Sequence, residues 1–180
     1  MTRTIDVVPY DPCWAEHYQA EREALRRVFG QEAFAFDHIG STSIPGIKAK
    51  PVIDILVTVR DIGRMDAYQG AMIALGYQAK GEFGIPGRRF FIKGGEEHRS
   101  HHVHIFERGH PEIARHLNFC AYLRANPVEA ARYSALKEAL AYKFRHDPES
   151  YTEGKSEMIR EIDRKALIWS DTNRQPEAGG

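Results

Sequence analysis

The chain has little cysteine, no net charge and no long apolar run, and each shortage removes a class of protein. Cys13 and Cys120 are the only two cysteines in 180 residues, too few and too far apart for a disulfide framework or a cysteine-based metal knuckle. Its 25 basic residues balance 25 acidic ones, so no global field draws it to nucleic acid or to an anionic membrane, and bulk nucleic-acid binding is not expected. No stretch approaches the roughly 18 apolar residues of a membrane span, and "MTRTIDVVPYDP" lacks the apolar core of a secretory signal. These absences lead us to expect a soluble, cytoplasmic protein with reduced thiols, whose anion sites, if any, are built locally. No feature specifies an oligomeric state.

What is present reads as one domain over residues 1–169, followed by a polar tail, 170–180, "SDTNRQPEAGG". Asp11 before Pro12 is a helix-start signal, and Trp14, Tyr18, Leu25, Val28 and Phe29 then recur at near-helical spacing up to Gly30. "AFAFDHIGS" and the β-branched run "PVIDILVTV" predict two strands around a Gly-Ser turn. The spacing of Met65, Tyr68, Met72 and Leu75 before Gly76 predicts a second helix. "GYQAKGE", "GRRFFIKGG" and "SHHVHIFERG" predict an antiparallel strand meander, and three helical patterns follow Gly109. The expected fold class is therefore α+β, a mixed β-sheet flanked by helices, with C-terminal helices.

Chemistry concentrates in "HIGSTSIPGIKAKPVIDILV", residues 38–57. Backbone N–H groups at Gly40 and the hydroxyls of Ser41, Thr42 and Ser43 can cradle a phosphate, with Lys48 and Lys50 adding positive charge at the rim. Equally, such a turn can satisfy only its own backbone. Asp54 lies inside an apolar strand, where a carboxylate needs a partner: a lysine or arginine in a structural ion pair, or a metal ion.

Five of the nine histidines lie between residues 98 and 110, in "HRSHHVHIFERGH". On a strand, His102 and His104 share one face while His101 and Val103 take the other. Placed beside Asp54, the pair would complete a two-histidine, one-carboxylate set suited to zinc, iron or manganese more than to magnesium; alternatively, one histidine fills a polar core position or binds an anion. Arg88, Arg89, Lys93 and Arg99 lie on or near neighbouring strands, with Arg89 a candidate phosphate ligand; the other role for such residues is a solvated strand edge.

Taken together, the "YDPCW" helix, "HIGSTSIPGIKAKPVIDILV", "HHVHIFERG" and "YTEGKSEMIREI" resemble the GrpB family over roughly residues 7–168. That family's fold is similar to the polymerase-beta-like nucleotidyltransferase superfamily. In active members of the superfamily a Gly-Ser turn precedes a strand with two carboxylates two residues apart, and a third acid comes from a neighbouring strand. The three hold two magnesium ions on a nucleoside triphosphate. Gly40, Ser41 and Asp54 match the turn and the first acid, Leu56 stands at the second, and "HHVHIF" occupies the region of the third. The resemblance also places Lys155 among recurrent residues, where it could reach phosphates or pair with Glu149 or Glu161.

The resulting expectation is a nucleotidyltransferase-like domain that binds a nucleotide or other phosphorylated small molecule, with a divalent metal (Mg, Mn or Zn) as cofactor and Asp54 as the catalytic carboxylate. Gly40, Ser41, Thr42, Ser43, Lys50, Arg89 and Lys155 are its expected phosphate-side residues, and Asp54, His102 and His104 its metal ligands. Two alternatives stay open. One is a noncatalytic module linked to coenzyme A metabolism, since family members occur fused to a dephospho-coenzyme A kinase; the other is a His/Asp metal-dependent phosphohydrolase.

Overall fold

The structure, a computed structural model, describes residues 4–95 and 97–173. Helix α1 (Cys13–Phe29) starts where Asp11 Oδ1 accepts the Cys13 N–H at 2.9 Å, and ends at Gly30, whose φ of 52° favours glycine. Strands β1 (Ala33–Ile39) and β2 (Ile53–Val59) form an antiparallel pair around the Gly-Ser turn. A 3₁₀ stretch over Ile62–Tyr68 leads into the short helix α2 (Gln69–Ala74), followed by β3 (Tyr77–Ala79), β4 (Arg88–Lys93) and β5 (His101–Glu107). Helices α3 (Pro111–Ala125), α4 (Pro127–Lys143) and α5 (Pro148–Asn173) complete the described chain.

The five strands form one mixed sheet in the order β1-β2-β5-β4-β3. The expected meander is there, since β3, β4 and β5 pair antiparallel. The meander then folds back so that β5 lies parallel to β2, with Asp54 beside His102 and Leu56 beside His104. Because side chains alternate along a strand, each sheet face has its own core. On one face Ile55, Val57 and Ile105 meet Leu25 and Phe29 of α1 together with Met65 and Met72. On the other, Leu56 and Phe106 meet Phe119 and Leu123 of α3 and Ile162 and Ala166 of α5.

Two expectations need correction. The helix anticipated over Met65–Leu75 is 3₁₀ as far as Tyr68 and α-helical only over the six residues Gln69–Ala74. Gly63 and Gly70 weaken helix formation there, while Met65 and Met72 still anchor the segment in the core. The first four residues of the tail expected from Ser170 are helical: α5 runs through Ser170, which is buried, to Thr172 and Asn173, whose side chains bond back to the carbonyls of Ile168 and Trp169. Packing of Ala166 and Trp169 carries the helix through that polar stretch, and residues 174–180 lie outside the described residues. Among the described residues no helix is long and apolar enough to cross a membrane.

Leu25 is fully buried between α1 and the sheet. Leu25→Ala should therefore lower unfolding free energy by about 2–5 kcal/mol, measured by denaturant titration.

Candidate functional site

Asp54 sits on the face of β2 that looks toward α3–α5, and the parallel register with β5 brings two histidines to it. Asp54 Oδ1 lies 3.0 Å from His102 Nδ1 and 3.2 Å from His104 Nε2. Burial alone would raise the Asp54 pKa, but the hydrogen bonds and charge of the two imidazoles outweigh it and hold the carboxyl far below its ordinary range. Burial pushes His104 the other way, toward the neutral form. One ligand atom from each of Asp54, His102 and His104 falls within 4.8 Å of the others. The carboxylate thus has imidazole partners in place of the lysine or arginine of a structural ion pair.

This donor set fits one cation. Nitrogen-rich ligands with a single carboxylate suit zinc or manganese better than magnesium, and His102 Nε2 is buried with no hydrogen-bond partner. A second cation has no support at the neighbouring position, because Leu56 is fully buried against α3 and α5.

The Gly-Ser turn approaches Asp54 closely. Gly40 has φ 71°, and a Cβ built on it would lie 2.7 Å from Asp54 Oδ2, so the turn needs glycine for both conformation and space. Gly40, Ser41 and Thr42 line a cleft of about 250 Å³ with Lys50, Asp54 and His102. Within that turn the hydroxyls divide their work. Ser41 and Tyr133 both line the cleft. Thr42 is buried, donates to the Val52 carbonyl and meets His38 Nε2 at 2.9 Å, and the Ser43 hydroxyl donates to the Gly40 carbonyl at 2.7 Å. Thr42 and Ser43 side chains therefore build the turn and leave Ser41 as its hydroxyl on the cleft.

Arg89 is not at the site. It points to the α2 side of the sheet, where its guanidinium pairs with Asp66 at 2.8 Å; strand alternation instead sends Arg88 toward the histidines, with Nη1 3.4 Å from His104 Nδ1. Lys155 lies in the third turn of α5, well inside the helix, and its Nζ sits 4.4 Å from the centre of the Tyr151 ring. Of its two suggested partners, Glu161 is taken by Arg132 and Lys165.

The C-terminal helices add residues that sequence reasoning passed over. Tyr133, Lys137 and Tyr151 join Lys50 and Lys155 around the cleft, and the His116 ring of α3 lies 5.4 Å from that of His104, tilted by 50°, in an adjoining lobe that shares Gly40, Asp54, Tyr133 and Lys155. Burial pushes His116 down to about 3, and it pushes Tyr151 up to about 12. Lys137 is 2 % exposed. Its Nζ donates to the Lys48 carbonyl and lies over the Tyr133 ring, and burial with the nearby Lys155 and Lys50 lowers its pKa to about 7. The sequence signal was a lysine on the buried stripe of α4, in step with Ala130, Tyr133 and Ala141.

A mixed sheet in which a Gly-Ser turn delivers a carboxylate strand to a basic cleft is a nucleotidyltransferase-like fold. The Cid1 poly(U) polymerase structure with Mg 3′-dATP bound superposes with a TM-score of 0.51 at 14 % identity, over 82 % of this chain and 49 % of that one. The GrpB protein family model matches residues 4–165, and the chain belongs to that family. The crystal structure of the conserved protein GrpB from Enterococcus faecalis superposes with a TM-score of 0.88 at 40 % identity, covering 92 % of this chain and 99 % of that one. The UPF0157 protein YqkA of Bacillus subtilis is 46 % identical over 93 % of this chain, which spans about half (48 %) of YqkA. A dephospho-CoA kinase of Mycolicibacterium paratuberculosis is 28 % identical over 93 % of this chain, with 47 % of the kinase covered.

Two outcomes follow from this geometry. Gly40→Ala should displace the Asp54 carboxylate and lower unfolding free energy by about 1–3 kcal/mol in denaturant titration, because backbone strain and a side-chain clash coincide. Lys137 gives a pH signature. Its folded value, about 7, lies below the ordinary 10.5, so between those values the unfolded chain holds the proton that the folded chain has lost. The penalty is complete below about pH 7 and fades as pH rises through the window. Melting temperature measured from pH 7 to 10 should therefore rise more steeply in the wild type than in Lys137→Met.

Proposed function

We propose that the cleft binds a nucleotide or closely related phosphorylated small molecule together with one divalent cation, and that it supports metal-assisted nucleotidyl transfer. The observation that carries this reading is the convergence of Asp54, His102 and His104 beside a cleft walled by Lys50, Lys137 and Lys155. Three lysines around a cleft whose only lining carboxylate is Asp54 suit a polyanion with several charges, and desolvation strengthens each contact.

Asp54, His102 and His104 would hold the cation, which when bound supplies Lewis-acid polarisation of a phosphoryl oxygen. To hold it through Nε2, His104 would carry its proton on Nδ1, which would then no longer accept from Arg88. Ser41 at the turn and Lys155 beside Asp54 orient the phosphates. Lys50 and Lys137 neutralise charge toward the Tyr151 end of the cleft and stabilise a developing pyrophosphate-like leaving group. The distant likeness to Cid1, a poly(U) polymerase, agrees with this class of ligand. A second reading, an accessory ligand-binding module linked to coenzyme A metabolism, draws on the likeness to about half of a dephospho-CoA kinase.

Thermal shift and calorimetry with Mn²⁺, Zn²⁺ and ATP test the reading. Wild-type protein should be stabilised by metal, about 2.7 kcal/mol at 100 times the Kd. Asp54→Asn should lose that metal response, and Lys155→Met should weaken ATP at least about fivefold while keeping it. An unchanged metal response in folded Asp54→Asn defeats the proposal. Pyrophosphate release from ATP separates transfer from the accessory module.

A further inference from the structure

The loop between β3 and β4 holds Phe83 in an unusual state. Its φ is 45°, the one left-handed non-glycine backbone among the described residues, although Gly81 and Gly84 flank it. The side chain is 60 % exposed. A bulky residue in that backbone region is disfavoured, and burial does not compensate for it here.

The ring is nevertheless held in place. It stacks on Phe90, with centroids 5.4 Å apart and planes 23° from parallel. Phe90 in turn lies 5.4 Å from His102 and 5.0 Å from His104, so an aromatic ledge runs from the cation ligands to an exposed end. Arg88, 6 % exposed, ties the same parts together. It donates to the Phe83 carbonyl at 2.6 Å and the Glu82 carbonyl at 3.1 Å, covers the Phe90 ring at 4.6 Å and reaches His104 at 3.4 Å. The loop is thereby anchored to the histidines by a buried guanidinium, and the lysines stand on other elements, α4, α5 and the segment before β2.

We propose that Phe83 is a stacking platform for the heteroaromatic ring of the ligand, so that the bound molecule is a nucleotide with its base on Phe83 and its phosphates toward the lysines. This rests on the phosphate-and-cation reading of the cleft and narrows its ligand class. A flat ring laid on an exposed aromatic gains stacking with little sequence or hydrogen-bond demand. The strained backbone has a use in this arrangement, because it presents the ring while Arg88 prevents the loop from relaxing.

The test compares ATP with inorganic tripolyphosphate, both with Mn²⁺, by calorimetry. Phe83→Asn removes the platform but keeps a residue that tolerates left-handed backbone, and Phe83→Trp restores a larger ring. Phe83→Asn should weaken ATP by about fivefold to a hundredfold, the range one stacked base carries. Tripolyphosphate should be unaffected, and Phe83→Trp should bind ATP at least as well as the wild type. If the wild type binds both probes and folded Phe83→Asn weakens neither, or weakens both equally, the platform is overturned and the cleft reading stands. If the wild type binds neither probe, the cleft reading fails and this inference fails with it.

Discussion

The hydrogen bonds from two imidazoles to the Asp54 carboxylate organise this molecule's functional face. A carboxylate on a central strand, flanked by fully buried Ile55 and Leu56, is costly unless partnered. Here the partners come from β5, one directly alongside and one a step further along the parallel ladder. Gly40 closes over the carboxylate from one side, and Lys155 and Tyr133 face it from the C-terminal helices. Removing either histidine would leave a half-buried charge short of donors, so these contacts also help to hold the strand pair together.

The site also differs in kind from a two-carboxylate, two-cation centre. Leu56, two residues after Asp54 on the same strand face, is part of the core beneath α3 and α5, so that position serves packing and offers no ligand atom. The donors beside Asp54 are the two imidazoles of β5. What surrounds Asp54 is a dense set of basic and phenolic side chains, Lys50, Lys137, Lys155, Tyr133 and Tyr151, and function is carried by such side chains and not by the fold.

Several parts of the site were readable in one dimension because they depend on local rules. The turn needs a glycine for its backbone, alternation puts His102 and His104 on one face, and an acid inside an apolar strand advertises a partner. Arg89 shows where this stops. Alternation requires Arg88 and Arg89 to face opposite sides, but which side holds the histidines depends on how β4 registers against β5. The 3₁₀ stretch before α2 shows the same limit for secondary structure, since Met65 and Met72 have helical spacing while the glycines between and beside them loosen the helix.

By itself the sequence determined the α+β class, the Gly-Ser turn, the isolated acid and the paired histidines, since each follows from residue type and short-range periodicity. Only the tertiary structure decided that β5 runs parallel beside β2, that α4 and α5 bring Lys137, Tyr133 and Tyr151 over the turn, and that Arg88 anchors Phe83. The physical reason is distance along the chain. Asp54 and His104 are 50 residues apart, and no local preference encodes which strand will close that gap; burial of two separate sheet faces does.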